Sequence, residues 1–222
     1  LDQPRLPEVR IGDVVARLVQ ASSHALSVHV PADISMGRHS VQVEGVQSEM
    51  DCHLDIGAII TTGLHQVDNP VFDREGNLYV TYSGTRGQQI PVSIFRVRRD
   101  GSREALVSKI SNPTSMAFDP EGQLHVSSRF DGTVYRIDSN GKFEAVATEL
   151  GVACGIAFDD EGQLYVGDRS GTVFRVDASG TAMTFASLPA SVAAFHLAMS
   201  QDRWLYVTGP PLDPCDSVYR ID

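Results

Sequence analysis

The sequence predicts an all-β chain: a β-propeller, four blades of which are visible, preceded by part of a small β-sandwich. Two observations carry this. A unit built on an aromatic residue, an aspartate and a glycine-closed turn occurs three times, with a degenerate fourth copy, at nearly constant spacing. Each copy holds strand signals, with no 3.6-residue apolar stripe of the kind a helix needs. The first 57 residues lack the unit, which sets the division into 1–57 and 58–222.

Within residues 1–57, the stretch ALSVHVPADISMGRHSVQVEGV has two alternating runs around a turn containing proline and glycine. Such alternation places one face of each run toward a core, as in a small sandwich. The rhythm Val28-His29-Val30-Pro31, Gly37, Val41-Gln42-Val43 resembles the back half of an immunoglobulin-like TIG domain. That resemblance implies further strands ahead of Leu1.

The repeats read NPVFDREGNLYVTYS from Asn69, TSMAFDPEGQLHVSS from Thr114, CGIAFDDEGQLYVGD from Cys154, and a degenerate FHLAMSQDRWLYVTG from Phe195. Their anchors Phe72, Phe118, Phe158 and Met199 are 46, 40 and 41 residues apart, the period of a four-stranded blade. In the first three, a first strand ends in aromatic-Asp and a turn follows that Asp opens and Gly closes. Next come a second strand such as Leu164-Tyr165-Val166, a third such as Thr172-Val173-Phe174-Arg175-Val176, and a fourth such as KFEAVATEL. The last copy stops at SVYRID, in its third strand. The run AIITTGLHQV (58–67) stands where a fourth strand would complete that blade; the other reading is that one or two blades lie outside this sequence. Both ends read as those of a piece of a longer protein.

With 18 basic against 28 acidic residues, a net charge of −10 and singly scattered cations, the chain lacks the clustered basic face that nucleic acid requires. Its apolar runs fall far short of the ~20 residues of a membrane-spanning helix. Three cysteines, Cys52, Cys154 and Cys215, are too few and too dispersed for a disulfide framework or a paired CxxC zinc site. No charged-then-apolar signal peptide opens the chain, and the residues do not set its compartment. Walker, Rossmann and GxSxG motifs are absent from the sequence.

The series NPVFDREGNLYV … GTVYRID … GIAFDDEGQLYVGD resembles the six-bladed propellers of the gluconolactonase family, also called senescence-marker-protein and luciferin-regenerating-enzyme-like, and more loosely the NHL-repeat propellers. The resemblance covers roughly residues 64–222. It implies a divalent metal, usually calcium, held by hard oxygen ligands near the central channel, polarising a lactone carbonyl and a water. In that family the first ligand sits four residues before the anchor aromatic. Here that column reads Asp68, Thr114, Cys154 and Phe195, and its neighbour Asn69, Ser115, Gly155 and His196. Asp68 preserves the acid, whereas Cys154 is soft and Phe195 offers no ligand atom.

In a blade, the loop before the first strand and the loop between the second and third open on one face. That face is expected to gather Asp68, Asn69, Asn112, Cys154 and His196 with Arg86, Arg129 and Arg169. Three arginines on successive blades suit a carboxylate or phosphate. The alternative is that each pairs with an acid such as Asp131 or Asp168 and stitches blades together. His196, in AAFHLA, is the candidate general base. Arg96, Arg136, Arg175 and Arg220 recur inside third strands and read as outward or inter-blade residues without chemistry. Two functions follow: a bacterial-type gluconolactonase-like propeller hydrolysing a small lactone or ester, with calcium, or a non-catalytic propeller binding a protein, sugar or polymer.

Overall fold

The computed structural model describes residues 6–46, 51–64, 70–191, 195–209 and 217–222, and the chain divides into two compact units, 1–60 and 61–222. In the first unit, β1 (Val9–Ile11), β2 (Val14–Ala21), β3 (Leu26–His29), β4 (Gly37–Val43) and β5 (His53–Ile56) form one antiparallel sheet in the order β3-β2-β1-β4-β5. The two runs read from the sequence are β3 and β4. Val9, Ile11 and Ala16 are buried with Leu18, Leu26, Val28, Val41 and Val43 around them, while Arg10 between Val9 and Ile11 turns out to bond Glu8 and the Asp13 carbonyl. A sandwich needs two facing sheets; the described residues of this unit form one.

The second unit is a series of antiparallel meanders, each sheet following the chain. They are β6 (Val71–Phe72), β7 (Leu78–Thr81), β8 (Ile94–Val97) and β9 (Arg103–Val107); β10 (Pro113–Phe118), β11 (Leu124–Ser128), β12 (Thr133–Ile137) and β13 (Phe143–Ala147); β14 (Ala153–Phe158), β15 (Leu164–Asp168), β16 (Thr172–Val176) and β17 (Ala182–Ser187); then β18 (His196–Met199), β19 (Leu205–Gly209) and β20 (Ser217–Ile221). A separate apolar core fills each gap between successive sheets. Ile94, Val107, Met116 and Val126 lie in the first, Val134, Leu150, Ile156 and Val166 in the second, and Val173, Phe195, Leu205 and Val207 in the third.

The repeated aspartate has two jobs, which explains why it recurs. Gly76, Gly122 and Gly162 donate their amides to the carbonyls of Asp73, Asp119 and Asp159, at φ of 82°, 84° and 83°. One carboxylate oxygen of each aspartate accepts amides of the same turn, from Asn77, Gln123 and Gln163. The other reaches the side chain six residues on, in the second strand: Tyr79, His125 and Tyr165. In the degenerate fourth copy Ser200 replaces the aspartate and accepts the Trp204 amide, and Arg203 takes the glycine position at φ 66°, a conformation costing a side-chain-bearing residue about 1–2 kcal/mol.

His125 stands where the first and third copies carry tyrosine. It is buried, edge-on to Phe158 at 4.7 Å, with Nε2 3.0 Å from Asp119 and no partner for Nδ1 among the described residues. Burial pushes its pKa down, against the upward pull of Asp119. The unfolded chain, with histidine near 6.5, therefore takes up a proton before the folded one, and stability is lost as pH falls below about 6.5. His125→Tyr is expected to reduce the stability difference between pH 7.5 and 5.5 in urea unfolding; an undiminished difference would refute this role.

The third-strand arginines behave as read. Arg96 and Arg136 pair across to Glu104 and Glu144 on the fourth strand, and Arg220 lies over the Trp204 ring at 4.2 Å. The exposed Arg136–Glu144 pair contributes at most ~1 kcal/mol.

A closing strand over 58–67 is one of the two readings of the incomplete last blade. Residues 58–64 carry no strand, and residues 65–67 lie outside the described residues. Among the described residues the last sheet has three strands. Strand pairing at a sheet edge is set by a partner distant in sequence, so the apolar run alone was insufficient to place it. Among the described residues no helix is long and apolar enough to cross a membrane.

Candidate functional site

Loops 82–93, 129–132 and 169–171 join the second and third strands of the first three sheets. They meet the connectors that lead into β10 and β14. The Arg129 amide donates to the Asn112 carbonyl, and the Arg169 amide to that of Val152. Leu150 and Leu188 donate to the carbonyls of Gly132 and Gly171. These bonds gather Asn112, Arg129 and Arg169, with Cys154 two residues beyond Val152, and the Gly87 amide donating to Asn112 Oδ1 brings in the loop that carries Arg86. Asp68 and Asn69 lie outside the described residues.

Asn112 organises this end and does not face it. It is fully buried at φ 45°, a conformation asparagine tolerates better than most residues. Its Oδ1 accepts the Gly87 amide at 2.6 Å, and its Nδ2 donates to the carbonyls of Gly84 and Thr85 at 2.9 and 3.1 Å. Both ends of the carboxamide are therefore spent on clamping the long loop of the first sheet.

The ligand column folds back on itself. Thr114 Oγ1 donates to the Asn112 carbonyl, and Cys154 Sγ to that of Val152, each two residues earlier. Cys154 is 1% exposed and burial pushes its thiol up to about 11, so it is a neutral thiol and no nucleophile at neutral pH. Gly155 is required where it stands, since a Cβ there would meet the Phe195 carbonyl at 2.5 Å. His196 does not join the group. Leu197 packs toward Gly155 and Gly167 of the preceding sheet, so strand alternation turns the exposed His196 to the opposite face.

The arginines are a different case. Asp131 accepts the Tyr135 hydroxyl at 2.7 Å. The buried Asp168 accepts the Val152 amide at 2.8 Å and the Ser170 hydroxyl. Neither acid meets an arginine. Among the described residues no carboxylate lies within ion-pair distance of Arg86, Arg129 or Arg169. Arg129 reaches Ser83 Oγ at 3.5 Å, at the margin of a hydrogen bond. The charges of Arg129 and Arg169 both act on the Cys154 thiol, opposing the effect of burial. Two successive sheets thus direct two guanidinium charges at one locality, where the charge of the buried Asp168 acts in the opposite sense.

The described residues do not fit a calcium site. Among them no three His, Cys, Asp or Glu side chains come together, and the Thr114 hydroxyl and Cys154 thiol of the ligand column, like the nearby Asn112 carboxamide, are spent on backbone groups. A hard cation would also meet two guanidinium charges here.

Residues 155–176 match the family model for the N-terminal part of strictosidine synthase-like proteins. No curated protein sequence matches the chain. Among solved structures, a gluconolactonase from Xanthomonas campestris is 16% identical over 83% of this chain and 69% of its own, with a TM-score of 0.55. The fold is a β-propeller. A virginiamycin B lyase from Staphylococcus aureus (13% identity, 99% and 71% coverage, TM-score 0.53) and an auxiliary nutrient binding protein from Bacteroides ovatus (15%, 98% and 60%, TM-score 0.56) share it. A propeller thus hosts a hydrolase, a lyase and a binding protein alike, and function rests on the residues of its faces. One of those residues went unread in the sequence: Phe130, half-exposed beside Arg129. Its signal was there, since SSRFDGT is one residue longer than the corresponding GDRSGT.

Proposed function

We propose that this gluconolactonase-like propeller handles a small anionic molecule, a carboxylate of the kind that opening a lactone or cleaving an ester yields, on the face that carries Arg129 and Arg169. The carrying observation is the pair of guanidinium groups on successive blades, two cations against the single nearby carboxylate of Asp168, which forms no ion pair with either, while Asp131 is turned to Tyr135. Guanidinium groups present paired donors that match a carboxylate. Metal-assisted hydrolysis of a lactone or ester is the second reading. It rests on the likeness to gluconolactonases and on Asp68; the buried Cys154 thiol does not supply its nucleophile, and His196 lies on the face of its strand opposite Leu197.

A thermal-shift series tests the first reading. Gluconate at 100-fold its Kd stabilises a chain that binds it by about 2.7 kcal/mol. The native protein is expected to melt higher with gluconate, and Arg129→Ala/Arg169→Ala is not; equal shifts in both would overturn it. Turnover of glucono-lactone that depends on calcium and is lost in Asp68→Ala would place hydrolysis first.

A further inference from the structure

The loop of the second blade holds one residue more than that of the third, Arg129-Phe130-Asp131-Gly132 against Arg169-Ser170-Gly171. The hairpin of the third blade closes without an aromatic, so the turn itself does not call for Phe130. The ring is nevertheless 50% exposed, and the neighbouring blade makes room for it. A Cβ on Gly87, at φ 74°, would stand 2.9 Å from Phe130 Cε2 and 3.5 Å from Cζ. The ring therefore lies against loop 82–93, which Asn112 clamps at Gly84, Thr85 and Gly87. The Arg129 guanidinium reaches Ser83, at the base of the same loop. Asp131, the acid nearest in sequence, is turned to Tyr135. One fixed loop thus backs both a half-exposed aromatic ring and a guanidinium group without a carboxylate partner.

We infer that Phe130 is the apolar wall of the anion site, and that the ligand is a carboxylate carried on a flat ring, whose face lies on Phe130 while its carboxylate meets Arg129. This rests on the anion-binding reading and adds to it the shape of the ligand body. A carboxylate on a short chain would use the arginine alone. An aromatic acid or a sugar acid in its ring form would use both, since each has an apolar ring face.

Calorimetric titration of acetate, benzoate and glucuronate into the full chain at low ionic strength tests this. Native protein is expected to bind benzoate or glucuronate roughly two- to tenfold more tightly than acetate, the range an aromatic contact supplies. Phe130→Ala is expected to erase that advantage and leave acetate unchanged, and Phe130→Tyr to keep it. An advantage for benzoate alone assigns an aromatic acid, and one for glucuronate a sugar ring. An advantage that survives Phe130→Ala, or a loss equal for all three carboxylates, would overturn the inference while leaving the anion site standing. Failure of all three to bind native protein would overturn both.

Discussion

Gly141→Ala is expected to lower the melting temperature by about 10 °C, and Gly122→Ala by only about 3 °C. The two glycines share a backbone conformation, φ 79° and 84°, which costs alanine about 1–2 kcal/mol in either place. Their surroundings differ. A Cβ on Gly122 meets nothing within 4 Å, whereas one on Gly141 would stand 1.8 Å from the Leu106 carbonyl on the fourth strand of the preceding blade. Relieving a backbone clash adds about 1–3 kcal/mol, and each kcal/mol moves Tm by about 2–4 °C at this chain length. Gly180 repeats the contact against the Val146 carbonyl one blade later. Equal shifts for Gly141→Ala and Gly122→Ala would contradict this stacking of turn on strand.

Asn112→Asp is expected to cost about 2–4 kcal/mol although it changes one atom. The substitution keeps an acceptor for the Gly87 amide. It also sets an anionic oxygen against the carbonyls of Gly84 and Thr85, which now receive Nδ2, and a buried polar group left in that state costs ~1–3 kcal/mol, more when charged. The loop should then open locally, read as faster hydrogen exchange at the Gly87 amide. Unchanged stability and unchanged exchange would show that Asn112 does not clamp the loop.

Most of the propeller was legible because its grammar is local. The Asp-x-x-Gly turn, the residue six places after the aspartate and the period-2 strands all fall within a dozen residues, as at Asp159, Gly162 and Tyr165. The first unit was read less fully: Gly12 and Asp13 join β1 to β2 in a tight hairpin whose Val9 and Ile11 alternate correctly, yet β1 has only three residues in which to show a period. The loops that carry Asn112, Arg129 and Arg169 were legible, and the partners of these side chains were not. Asn112 reads as a polar loop residue until loop 82–93 arrives over it from another blade. Which way an arginine faces depends on whether the acids beside it are already taken, and the partners of Asp131 and Asp168 are a tyrosine hydroxyl and a backbone amide. His196 could not be assigned a face until Leu197 was seen against Gly155 and Gly167.

Calorimetry of gluconate binding to native protein, Arg129→Ala and Arg169→Ala, each at low ionic strength, addresses the anion site most directly. A hydrogen bond to a charged group is worth about 1.5–3 kcal/mol, so each single substitution is expected to weaken binding by roughly tenfold or more, with the fold retained. Gluconate affinity unchanged in both variants would contradict the account.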